Sequence, residues 1–180
     1  IVPFDDSPVS METMLDSLGR EIDCFVGPCD SLTWKERYNI LSLKPVNCCI
    51  AVPRMHKLSK KKKLTWSDLE GETFMLVKRG DSPVLNKMRD EIETKHPQIT
   101  LLDTPHFYDT GVFNEYEQMR CVMETLDIWK DVHPSIVTIP MEWDYEMPYG
   151  IVYAKNLSGA MQTFIHTLQK YLNIETELLH

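Results

Sequence analysis

Short apolar runs alternate along this chain with stretches whose apolar residues recur at helical spacing, a pattern of strands and amphipathic helices that predicts an α/β domain. Ile1 to Phe4 predicts a strand. Ser7 and Pro8 then supply an N-cap and a first helical residue, and Met11, Met14, Leu15 and Leu18 line one helix face before Gly19. Ile22 to Val26 predicts a strand closed by Gly27-Pro28. Tyr38 to Leu43 and Cys48 to Val52 have strand composition, with Lys44-Pro45 between them and Pro53 after. Leu64 to Leu69 predicts a short helical turn, and Thr73 to Val77 a strand. Arg79-Gly80-Asp81-Ser82-Pro83 opens a helix carrying Val84, Leu85, Met88 and Ile92, and His96-Pro97 ends it. Ile99 to Leu102 predicts a strand, and a helix is expected from about Val112 to Glu124. Leu126 to Trp129, Ile136 to Met141 and Gly150 to Ala154 predict further strands. The closing helix spans Gly159 to Leu172, with Ala160, Met161, Phe164, Ile165, Leu168 and Leu172 as its expected buried face.

Composition narrows the function classes. The 180 residues are 43% hydrophobic and carry 19 Lys+Arg against 27 Asp+Glu, a formal charge of -8. That apolar content supports a globular core and excludes a fibrous or disordered chain. An acidic balance argues against a nucleic-acid backbone as the main partner, so DNA contact is expected only through another domain. Lys60 to Lys63 form a basic run, open to a DNA-binding or a solvated-loop reading; the run has no aromatic partners. No apolar run is long enough to span a bilayer and no leader pattern opens the chain, so a cytoplasmic protein without membrane contact is expected.

The five cysteines, Cys24, Cys29, Cys48, Cys49 and Cys121, lack paired metal-ligand spacing. They predict buried thiols in a reducing compartment, with a zinc site as the alternative. The six histidines form no His-x-x-x-His pair. No phosphate loop, dinucleotide fingerprint, Gly-x-Ser-x-Gly or His-Glu-x-x-His occurs. No cofactor and no catalytic residue is therefore expected, although a convergent thiol or acid/base hydrolase stays as an alternative.

Several strings in order resemble the effector-binding domain of LysR-type transcriptional regulators. An apolar strand from Cys48 runs into Pro53-Arg54-Met55-His56-Lys57-Leu58, then a basic gap, then Asp68-Leu69-Glu70-Gly71-Glu72 and a strand ending at Val77. Upstream, Glu21 to Val26 resembles the family's helix-to-strand element; downstream, Ile136 to Met141, Met147-Pro148 and Gly150 to Lys155 resemble its return segment. The resemblance implies a periplasmic-binding-protein type 2-like fold, two α/β subdomains joined by two crossing strands. Subdomain I would take residues 1–53 and 149–180 and subdomain II residues 54–148, with crossings near Cys48 to Val52 and Gly150 to Tyr153. The family's first strand and helix and its winged helix-turn-helix would precede Ile1, so the chain is expected to be an N-terminally shortened sensor piece. At Met123-Glu124-Thr125-Leu126-Asp127 the chain departs from the glycine-containing turn usual in the family.

A small-molecule effector, anionic where helix entrances converge, would bind between the subdomains and shift their equilibrium. The full-length protein would be a homodimer or tetramer. Ser7 and Ser10 stand at the first helix entrance, as ligand hydroxyls or simple caps. Arg79, Gly80, Asp81 and Ser82 form the second candidate loop, with Arg79 open to a ligand, to Asp81 or to a surface carboxylate. Thr110, Gly111 and Phe113 form the third, and Cys29 and Trp129 are candidates for the cleft wall. A solute-binding protein of a transporter, on the same kind of fold, is the alternative to a regulator.

Overall fold

The structure is a computed structural model and describes residues 8–104 and 121–173, with the side chains of residues 8–10 left aside. The expected strand at Ile1 to Phe4 and most of the helix expected from Val112 lie outside the described residues. In chain order the elements are α1 Pro8–Asp16, β1 Cys24–Pro28, α2 Leu32–Arg37, β2 Asn39–Ser42, β3 Val46–Pro53, β4 Thr73–Val77 and α3 Pro83–Lys95. They continue with β5 Thr100–Thr104, β6 Val122–Leu126, β7 Ile136–Pro140, β8 Glu146–Met147, β9 Tyr149–Tyr153 and α4 Gly159–Leu172.

Among the described residues the strands form two sheets. The smaller has the order β1-β9-β2 and is antiparallel throughout. Its central strand alternates faces as a pleat requires. Val152 packs with Met11, Met14, Leu15 and Leu18 on the α1 side, and Ile151 with Leu41, Met161 and Ile165 on the α4 side. Phe164 and Leu172 are exposed, as is Ala160, so the buried stripe of α4 is narrower than its periodicity suggests. A single small sheet gives the helix only a narrow strip to cover.

The larger sheet has the order β5-β4-β6-β3-β7, with β8 paired to β3. β4 is parallel to β5 and β6, whereas β3 is antiparallel to β6 and β7. Ile50, Val52, Phe74, Leu76, Val122 and Leu126 share a core with Met88 and Ile92 of α3. Each such fully buried side chain contributes roughly 1.5–3 kcal/mol of apolar transfer. Ala51, Met75, Cys121 and Met123 form a separate buried cluster.

Three expectations are corrected by this arrangement. Val122 to Glu124, placed at the end of a helix by the sequence, lie in β6. Asp127–Trp129, expected within a strand, form a 3-10 turn. Cys48 to Val52 and Gly150 to Tyr153, expected as the two crossings between subdomains, lie wholly inside the larger and the smaller sheet respectively. The chain instead changes sheets at residues 43–45 and at Pro148.

The string that carried the family resemblance is scaffold. His56 Nδ1 accepts from the Leu58 amide at 3.3 Å, and its Nε2 lies 3.3 Å from Oε2 of the buried Glu72. Asp68 closes a capping box with Thr65, whose amide donates to it at 3.0 Å. Trp66 stacks on His96, 4.3 Å between ring centres, and covers the edge of the same core. Lys57, Lys61 and Lys63 pair with Glu72, Asp68 and Glu142, so three residues of the basic segment are engaged with the protein's own carboxylates.

Candidate ligand cleft

The two chain crossings run side by side as one antiparallel ribbon. Ser42 is in register with Gly150, the Leu43 amide donates to the Tyr149 carbonyl at 3.0 Å, and Val46 is in register with Met147. Lys44-Pro45 interrupts one strand of this ribbon and Pro148 the other, where proline removes a ladder donor. The two lobes thus share a two-stranded hinge with weakened pairing at its middle. Beside it lies a cavity of about 450 Å3, between residues 44–47 on one side and Asp127, Ile128 and Lys130 on the other. Asn47 Nδ2 donates to Asp127 Oδ2 across it at 2.8 Å.

A second set of contacts joins the loop after β1 to the loop before α3. Asp30, 6% exposed, belongs to the small lobe, and its Oδ2 accepts from the Ser82 hydroxyl at 2.6 Å and the Val84 amide at 2.9 Å. Asp81 belongs to the large lobe, and its carboxylate accepts from the Thr33 amide at 3.1 Å and from the Ser31 hydroxyl. The Asp81 carbonyl also accepts from the Leu32 amide at 3.2 Å. Each lobe therefore supplies an aspartate to the first turn of the other lobe's helix, where amides lack intrahelical partners. Burial opposes the charge on Asp81, but the hydrogen bonds from Ser31, Thr33 and Leu32 outweigh it and hold the carboxyl below its usual range. Lys35 Nζ lies 3.9 Å from Asp30 Oδ1, the nearest cation to that buried carboxylate among the described residues.

The predicted site residues divide accordingly. Asp81 and Ser82 lie at the lobe boundary, and Cys29 lies beside Asp30, its amide donating to the Pro148 carbonyl at 2.9 Å. Cys29 is 1% exposed, and burial foremost pushes its thiol up, with Lys35 lowering it and Asp30 raising it. Trp129 hydrogen-bonds the Tyr149 hydroxyl at the hinge end of β9. Gly80 is fixed by Asn86, whose side chain accepts from its amide at 3.1 Å and donates to its carbonyl at 2.6 Å. Arg79 turns instead to the carboxylates of α3, at 2.7 Å from Asp90 and 3.0 Å from Glu93. Ser7, Thr110, Gly111 and Phe113 lie outside the described residues, as does the side chain of Ser10.

Sequence reasoning missed Asp30, Ser31 and Thr33. The short α2 carries no amphipathic stripe and none of its residues is buried, so its only local signal is Ser31 as an N-cap, accepting from the Trp34 amide at 3.0 Å. Among the described residues no cluster of three or more acidic, histidine or cysteine side chains could hold a metal ion. No helix there is long and apolar enough to cross a membrane.

No family model and no curated protein matches the sequence. The fold is similar to that of several solved structures. The effector binding domain of QuiR in complex with shikimate aligns with a TM-score of 0.66 and 14% identity, over 93% of this chain and 78% of that one. CbnR, a LysR family transcriptional regulator, aligns with a TM-score of 0.61 and 13% identity, over 88% of this chain and 56% of its own. A mutant of ArgBP from T. maritima aligns with a TM-score of 0.53 and 17% identity, over 96% and 70%. The chain therefore has the periplasmic-binding-protein type 2-like fold, two α/β subdomains joined by two crossing strands.

Proposed function

We propose that the chain is the small-molecule sensing domain of a LysR-type transcriptional regulator, without chemistry of its own. One observation carries this reading: two lobes share a two-stranded hinge and meet at loops that open helices, so a guest between them would bind differently in open and closed arrangements. Subdomain I is read as residues up to the first crossing together with those after Pro148, and subdomain II as the segment between. A ligand can shift the arrangement only by its difference in affinity for the two states. In a homodimer or tetramer that shift would be passed to DNA-binding domains on the same chains, inside the cytoplasm.

The ligand contacts are assigned to Ser7, Ser10, Cys29, Gly80, Asp81, Ser82, Thr110, Gly111, Phe113 and Trp129. Arg79 joins them only by leaving Asp90 and Glu93. An anionic metabolite remains the proposed guest, although the Thr33 and Val84 amides it would seek already serve Asp81 and Asp30.

A thermal-shift screen of carboxylates, neutral polyols and amines tests the reading, since a ligand at about 100 times its Kd adds on the order of 2.7 kcal/mol. Stabilisation by a carboxylate is the expected result. Stabilisation by amines or neutral compounds alone would remove the anion assignment, and no stabilisation by any class would remove ligand sensing. The likeness to ArgBP favours a second reading, a solute-binding protein of a transporter. A helix-turn-helix encoded directly before Ile1 supports the regulator, and a signal peptide there supports the transporter.

A further inference from the structure

We propose that Asp30 and Asp81 act together as an interlobe latch, a pair of the chain's own carboxylates that clasps the two lobes by capping each other's helices. The contacts are reciprocal. Asp30 leaves the small lobe to take the Val84 amide and the Ser82 hydroxyl at the start of the 13-residue α3, and Asp81 leaves the large lobe to take the Thr33 amide and the Ser31 hydroxyl at the start of α2. Reciprocity distinguishes this from ordinary capping. A helix normally finds its cap in the residue just before it, and Ser82 and Ser31 already fill that role toward Leu85 and Trp34. The aspartates satisfy the remaining first-turn amides from across the boundary.

Two such points, with hydrogen bonds running in opposite directions, fix both the separation and the rotation of the lobes. The hinge leaves these free, because its pairing is broken by Pro45 and Pro148. Asp30 is desolvated, so its charge-assisted bonds are stronger than they would be at the surface, and releasing them requires the carboxylate to regain water. Both halves must let go for the lobes to part, and loss of either half weakens the hold of the other.

Amide exchange and small-angle scattering on the full chain test the latch, with Asp30→Ala, Asp81→Ala and the double variant. In a latch, Asp81→Ala speeds exchange at Val84, which it does not touch, as well as at Thr33, on the order of tenfold each. The radius of gyration rises, far-UV circular dichroism is unchanged, and the double variant goes little beyond either single one. Exchange that quickens only at the amide each aspartate contacts, with an unchanged radius and rate factors that multiply in the double variant, would show two independent caps and overturn the proposal. Should removal of the buried Asp30 prevent folding, Asp81→Ala carries the test alone, because Asp81 is exposed.

Discussion

Gly150 lies so close to Leu41 that a β-carbon on it would stand 2.5 Å from the Leu41 carbonyl oxygen and 3.2 Å from the Cys29 sulfur. The glycine is set by a close approach of backbones, since β9 pairs with β1 and β2 at once and Gly150 faces Gly27 on one side and Ser42 on the other. It is also the second residue of β9 after the hinge proline, where the lobes part company. Gly150→Ala must push the Leu41 peptide aside and is expected to cost about 1–3 kcal/mol, read by urea unfolding. A variant as stable as the parent would mean that β2 is free to move outward.

The buried Tyr145 donates its hydroxyl to Glu91 Oε2 at 2.6 Å, and Lys95 lies 3.0 Å from the other oxygen. These bonds, the Tyr145 one foremost, hold the Glu91 carboxyl below its ordinary range. A depressed carboxyl adds stability that is complete above the unfolded pKa of about 4.3 and is lost as pH falls through the native value. Tyr145→Phe should therefore lose about 1–2 kcal/mol at neutral pH, and the gap from the parent should close in acid. A gap that stays constant through that range would place the contribution of the Tyr145 hydroxyl outside its bond to the Glu91 carboxylate, in its contact with the Lys87 carbonyl at 3.4 Å.

Thiol chemistry is suppressed by position. Burial, followed by Glu124, pushes the Cys48 thiol up, and burial, followed by Asp127 and Glu124, pushes Cys49 up to about 12. Cys29 and Cys121 are raised for the same first reason. A thiol that stays protonated is a poor nucleophile. At pH 8 an aromatic disulfide reagent should leave these four untouched over minutes and modify all five cysteines in denaturant. Rapid reaction of one buried cysteine in the folded protein would reopen a redox or covalent role for it.

What the sequence could show depended on how much of an element's environment is local. Pro83–Lys95 follows from the serine and proline at its entrance and an apolar repeat, Gly159–Leu172 from its apolar repeat, and Thr73–Val77 from a β-rich run. β8, only Glu146–Met147, is defined by its register with Val46 and Asn47, which lie a hundred positions earlier in the chain, on the order of a whole domain away. The candidate loop 79–82 was legible as a helix entrance, but the use of its parts was not. Asp81 meets Ser31 and Thr33 only once the chain has folded back across the hinge, and Arg79, in the loop before α3, is drawn off by Asp90 and Glu93 about two and three turns into that helix. Periodicity also overstated the buried face of α4, because the width of the sheet beneath a helix is a tertiary property.

Ser82 and Ser158 make the same local contact and differ in one other. Each is an N-cap whose hydroxyl accepts from an amide three residues on, Leu85 or Met161, at 3.2 Å. Loss of such a cap costs typically about 1 kcal/mol, which is the expected effect of Ser158→Ala. Ser82 in addition donates its proton to the buried Asp30 carboxylate at 2.6 Å. Ser82→Ala removes the cap and strips a desolvated charge of a donor, so its cost should reach roughly 2–4 kcal/mol. The two variants, compared by urea unfolding under one set of conditions, isolate the contact between lobes from the cap common to both helices. Equal costs would show that Asp30 recovers a water in place of the hydroxyl and that the Ser82 bond adds nothing to the closure of the lobes.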